Sequence, residues 1–145
     1  MLGLLASGCA SWRDSTPCTD YQVGQTYRVS KPVFLFVFNK SNRGETPTLA
    51  PLGYAATPKS FEEFVRARPN DPRVAGLLVE NDRLRVTSAK LVHAFAIGTF
   101  THVEATILSG DGAGKRVDLT LISRGRLPGA CLYVDPEYLD PITVP

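Results

Sequence analysis

A mainly β domain with one short helix is the fold class this sequence predicts, on three observations. Val33-Phe-Leu-Phe-Val-Phe38 is an unbroken apolar run of aromatic and β-branched residues, the pattern of a strand covered on both faces. Thr99 to Ile107 and Arg116 to Ile122 alternate apolar and polar residues around the glycine-rich Ser109 to Gly114, as the arms of a hairpin do. Only Ser60 to Arg68 combines helical spacing with a capping residue and matching end charges.

Taken in order, Tyr21 to Val29 suggests a turn at Val23-Gly24 leading into a short strand, with the buried run after Lys31-Pro32. Asn39 to Pro58 is the longest stretch without periodicity, and loops of more than about 12 to 15 residues often carry function. Within it Arg43 is a candidate contact, and Leu49, Leu52 and Tyr54 either pack back on the domain or present an apolar contact surface. The helix follows, with Ser60, or Thr57 ahead of Pro58, as its cap and Pro69 as its stop. Phe61, Phe64 and Val65 share one face and are expected to bury against the sheet. Val74 to Val79 reads as a short helix or irregular turn.

Leu84 to Val86 and Lys90 to Phe95 read as two further strands. In the hairpin, Val103, Ala105 and Ile107 should face inward opposite Val117, Leu119 and Leu121, leaving His102 outward and Asp111 in the exposed connection. Ala130 to Val134 reads as a last strand, and Asp135 to Pro145, with three prolines, as a tail or single turn. From roughly Val23 to Leu139 this order of short strands, long first loop and twisted hairpin resembles an SH3-like β-barrel, with the helix as an insertion. An OB-like antiparallel barrel fits the pattern nearly as well.

Before Tyr21 the chain has another character. Leu2 to Gly8 carries no charge, and it is much shorter than the roughly 20 apolar residues a membrane span takes. Leu5-Ala6-Ser7-Gly8-Cys9 resembles the lipobox of bacterial lipoproteins, in which small residues precede a cysteine that is acylated and becomes the new N-terminus. The resemblance implies that residues 1–20 are a truncated lipoprotein signal and tether ahead of a single β-barrel domain at 21–145, anchored in the membrane by lipid on Cys9. Leu5 lies four positions before the cysteine rather than three, and the basic start of a signal is missing, as a late start assignment or truncation would leave it. Ala10 after the cysteine resembles the pattern of lipoproteins sorted to the outer membrane. Trp12, in the tether, either rests at the membrane interface or packs on its own domain.

Lipidation of Cys9 leaves Cys18 and Cys131 as an even pair. In an oxidising periplasm they would form a disulfide closing a loop of more than 100 residues, which stabilises by roughly 4 to 5 kcal/mol. The alternative is two separate buried thiols. Neither cysteine belongs to a C-x-x-C or Cys/His cluster, so no metal site is expected.

At 145 residues, with 43% hydrophobic and 21% charged, the chain suits one hydrophobic core, which excludes wholesale disorder and a membrane-spanning body. A net charge of +2 with no dense Lys/Arg run argues against nucleic acid as a partner. No catalytic constellation stands out, and no cofactor is implied. His93 and His102 lie in strand-like segments, Ser123 is not in a G-x-S-x-G elbow, and Gly110 to Gly114 lacks the Lys-Ser/Thr and following helix of a phosphate loop. Asp135 and Glu137 flank Pro136 without a visible cleft between them. The functional expectation is a non-enzymatic periplasmic lipoprotein that binds a protein or cell-envelope polymer through its loops. The alternatives are an immunity or inhibitor protein directed against a periplasmic toxin or enzyme and, less favoured, a small hydrolase.

Overall fold

A computed structural model of the chain describes residues 16–38, 46–67, 70–94, 98–125 and 131–143. Its strands are β1 (Cys18–Thr19), β2 (Thr26–Val29), β3 (Val33–Phe36), β4 (Thr48–Pro51), β5 (Val74–Leu78), β6 (Arg83–Ala94), β7 (Gly98–Ile107), β8 (Arg116–Asp118), β9 (Cys131–Leu132) and β10 (Leu139–Pro141), and its α-helix is α1 (Phe61–Ala67). Eight of the strands form one sheet in the order β10-β2-β6-β7-β8-β4-β3-β5, while β1 and β9 pair separately and in parallel. The large sheet is mixed, because β4 meets β8 in parallel at Thr48 opposite Asp118. Its edge strands β10 and β5 are not paired with each other, so among the described residues the sheet does not close into the expected antiparallel barrel.

The sheet nevertheless curls around one interior. Leu139 on one edge and Leu78 on the other belong to the same buried cluster as Val29, Leu35, Leu49, Leu84, Val103, Ala105, Ile107 and Val117. β3 explains the unbroken apolar run: all four of its residues are buried. Val33 and Leu35 point into this core, while Phe34 and Phe36 point out to a second cluster with Ala50, Phe64 and Leu77. There Phe64 of α1 lies 4.9 Å from Phe34, Phe36 follows at 5.9 Å, and Phe38 continues the series at 4.7 Å.

Several elements differ from the sequence expectation for identifiable reasons. Val74 to Leu78 is a strand, not a helix or turn, because it finds β3 as an antiparallel partner. Part of the long first loop is β4, held between β3 and β8. The two expected strands at 84–86 and 90–95 are, as far as Ala94, one long β6 with an irregularity between Val86 and Ser88, and Phe95 lies outside the described residues. Past Asp118 the hairpin's second arm turns away: Asp118 Oδ1 accepts hydrogen bonds from Thr120 N and Oγ1 at 2.7 and 2.6 Å, starting a 3-10 turn at Thr120–Ile122. Leu121 therefore packs with the second cluster, not beside Val117 and Leu119 in the first. The expected tail supplies β10, paired with β2.

α1 is capped as its sequence suggests, with Glu63 N donating to Ser60 Oγ at 3.2 Å. Its orientation differs from the expectation: Phe64 is 1% exposed, but Phe61 and Val65 are 44% and 41% exposed. The helix lies over the sheet on a narrow stripe, and one aromatic side chain fills it.

Cys18 and Cys131 form a disulfide across β1 and β9. Tyr21 OH and Ser123 Oγ lie 2.6 Å apart, and Ser123 Oγ also donates to Leu119 O at 2.6 Å. This buried polar pair is satisfied inside the core, and burial pushes the Tyr21 phenol well above its ordinary value.

Candidate binding cleft

The connection between β7 and β8 is a tight structure made possible by glycine. Gly110, Gly112 and Gly114 have φ of 87°, 77° and 92°, and Gly114 N donates back to Ile107 O at 2.8 Å. The turn carries Asp111 onto the edge of β5, where Oδ2 accepts the Leu77 N–H at 3.0 Å. Glycine at Gly76 eases this approach, since a Cβ there would lie 3.0 Å from Asp111 Cβ. Two residues on, Asp82 Oδ2 accepts the Val79 N–H at 2.8 Å. These carboxylates occupy donors that an unpaired edge strand would otherwise offer to another chain.

The other half of that edge opens into a cleft of about 520 Å³, lined by the Asp71-Pro72 turn, Val74 to Gly76 of β5, and Asp111-Gly112. The Asp71 carboxylate is braced by Arg73, which donates to it through Nε at 3.2 Å and Nη2 at 3.0 Å and reaches Ala55 O through Nη1 at 2.8 Å. Hydrogen bonding from Arg73 holds the Asp71 carboxyl below its ordinary value. The cleft is thus lined by two carboxylates that hydrogen bonds hold in place and by part of the β5 strand, a surface for polar and backbone recognition. A second cavity of about 390 Å³ lies between Asp20, Gln22, Gln25, Tyr27, Arg124 and Val134. Asp20 and Gln25 there are engaged with backbone, Asp20 accepting from Val134 N and Gln25 donating to Ile142 O.

Of the loop residues singled out in the sequence, Asp111 lines the cleft. Leu49 is fully buried in β4, and Leu52 and Tyr54 pack against the second cluster, so these three belong to the body of the domain. Cys9, Trp12 and Arg43 lie outside the described residues. Sequence reasoning passed over Asp71, whose signal was the turn Asn70-Asp71-Pro72; its place in the same cleft as Asp111 depends on the β3–β5 pairing.

Among the described residues the histidines make no triad. His102 Nε2 lies 2.9 Å from Asp118 Oδ2, but the nearby hydroxyl, Thr120 Oγ1, is spent on the same carboxylate's other oxygen. His93 Nδ1 meets Thr99 Oγ1 at 2.8 Å, and Ser123 is sealed in the core. Glu137 pairs with Lys31 at 2.8 Å. Among the described residues no three His, Cys, Asp or Glu side chains group as metal ligands, and no helix is long and apolar enough to cross a membrane. Compared with known proteins, the chain matches no family model, no curated protein and no solved structure.

Proposed function

We propose that this chain is a lipid-anchored binding domain of the bacterial cell envelope, held through Cys9 at the outer membrane and recognising a protein or envelope polymer at the Asp71–Asp111 cleft. The observation that carries the reading is the bond between Cys18 and Cys131. A disulfide suits an extracytoplasmic compartment, and this one leaves Cys9, in its lipobox-like context, as the remaining cysteine of three. The same bond fixes the tether's point of entry, beside Thr101 of β7, whose Oγ1 accepts the Cys18 N–H at 3.1 Å. The cleft lies past Ile107, at the opposite end of β7, about 20 Å further on at 3.4 Å per residue. An anchored domain would therefore present it away from the bilayer. We read the curled sheet as an opened barrel of the SH3-like kind, since residues from both of its edges share one core.

Photo-crosslinking in intact cells tests the binding site. A photoreactive residue replacing Ala75 or Ala113, both exposed at the cleft end, is expected to capture one common envelope component, and the same residue replacing Glu62 on α1 is not. Equal capture from Glu62, or none from either cleft position, would move recognition elsewhere.

A further inference from the structure

β6 and β7 run on beyond the sheet that carries them. β2 pairs with β6 over Arg83 to Arg85, and backbone bonds from Gly24 and Gln25 extend the contact to Val86. β8 pairs with β7 over Glu104 to Thr106. Past Lys90 and His102 the two strands pair with one another as far as Ala94 opposite Gly98, and no other described strand pairs with them there. The result is a two-stranded arm whose core-facing side meets β1 and β9 near Thr101, while among the described residues no strand pairs along its edges, and two strands alone are marginal in water.

The register orders side chains along the face of the arm turned away from the core. From base to end these are Lys90 opposite His102 and then Val92 opposite Phe100. Polarity therefore falls along the arm, from an exposed lysine to a partly exposed aromatic and β-branched pair. The sequence from Lys90 to His102 contains no Asp or Glu. A cation at the level of lipid phosphates with an aromatic ring beyond it is the ordering that a bilayer interface selects. His102 contributes little to that charge, being committed to Asp118 on β8 with Glu104 at 3.9 Å on β7.

Location selects the same partner. The chain enters the described domain at the base of this arm, through the Cys18 N–H bond to Thr101. Residues 10 to 17 separate Cys9 from that point, a reach of at most about 30 Å. An acyl chain on Cys9 thus keeps the arm close to the bilayer.

We propose that the β6–β7 arm is a second membrane contact, seating Val92 and Phe100 in the interfacial layer of an anionic bilayer and so fixing which way the domain faces. Its orientation argument rests on the anchored reading; its affinity for lipid does not require acylation, and that separates the two experimentally.

The full chain carrying Cys9→Ser, which cannot be acylated at that position, is mixed with vesicles of phosphatidylethanolamine and phosphatidylglycerol and sedimented. It is expected to bind, and Val92→Ser with Phe100→Ser to lower partitioning about tenfold or more, as loss of two interfacial apolar side chains implies. Phe100→Trp in a Trp12→Phe background retains an aromatic ring at the position and reports directly: its emission should shift to the blue on adding vesicles. No sedimentation of the Cys9→Ser chain, equal partitioning of the double variant, or an unshifted emission overturns the proposal. A dimer that the double variant dissolves, without vesicle binding, assigns the arm to a second copy and overturns it as well. Vesicle binding by a chain shown not to be acylated in cells would refute the anchored reading alone.

Discussion

Nε2 of His102 on β7 lies 2.9 Å from Oδ2 of Asp118 on β8, at the point where Asp118 also meets β4. Asp118 N donates to Pro47 O at 2.9 Å, and its Oδ1 holds the Thr120 turn. The pair thus braces the parallel contact that, among the described residues, joins β4, β3 and β5 to the rest of the sheet.

That geometry has a pH signature. Hydrogen bonding to Asp118 raises the His102 pKa, outweighing the opposing effect of burial. A raised folded value means the contribution is complete below the ordinary histidine value of about 6.5 and is lost as pH rises through the folded one. Burial pushes Asp118 up, but hydrogen bonds from His102 and Thr120 more than offset it, so its share is present above the ordinary carboxyl range and lost as pH falls through the lowered value. Urea unfolding of the parent and of His102→Gln at about pH 5.5 and 8.5 should show a difference of about 1 to 3 kcal/mol at the lower pH that shrinks at the higher. The same difference at both pH values would show that the imidazolium is not what stabilises the joint.

The disulfide closes a loop between residues 113 apart, so Cys18→Ala with Cys131→Ala should cost about 4 to 5 kcal/mol on the loop-closure argument. Non-reducing urea unfolding checks this, and added reductant should destabilise the parent but leave the double variant unchanged. A parent indifferent to reductant would contradict a structural role for the bond.

Phe64 and its helix neighbours divide sharply. Phe64→Ala opens a cavity between α1 and Phe34 and is expected to cost about 3 to 5 kcal/mol, whereas Phe61→Ala and Val65→Ala should stay within about 0.5 kcal/mol of the parent. Thermal or urea unfolding of the three variants decides it, and equal losses would put all three side chains under the helix.

β3 and the Ser60 cap could be read from sequence because their signals are local: a run buried on both faces, and a side chain that bonds three residues on. β4 and β5 could not. Thr48-Leu-Ala-Pro51 and Val74-Ala-Gly-Leu-Leu78 lack alternation, and they become strands through the partners β3 supplies. Helical spacing places Phe61, Phe64 and Val65 together but does not encode the width of the surface beneath them, so Phe64 alone of the three is buried. The cleft was half visible. Asp111 stood out on an exposed glycine-rich turn, while Asp71 acquires its role from strand register, which no short segment encodes.

Cys9 is the centre of the functional account, and metabolic labelling with a palmitate analogue followed by membrane fractionation tests it most directly. The account predicts that the parent chain is labelled and fractionates with the outer membrane, and that Cys9→Ser abolishes the label and releases the chain or leaves it only loosely held. An unlabelled parent, or label that survives Cys9→Ser, would contradict it.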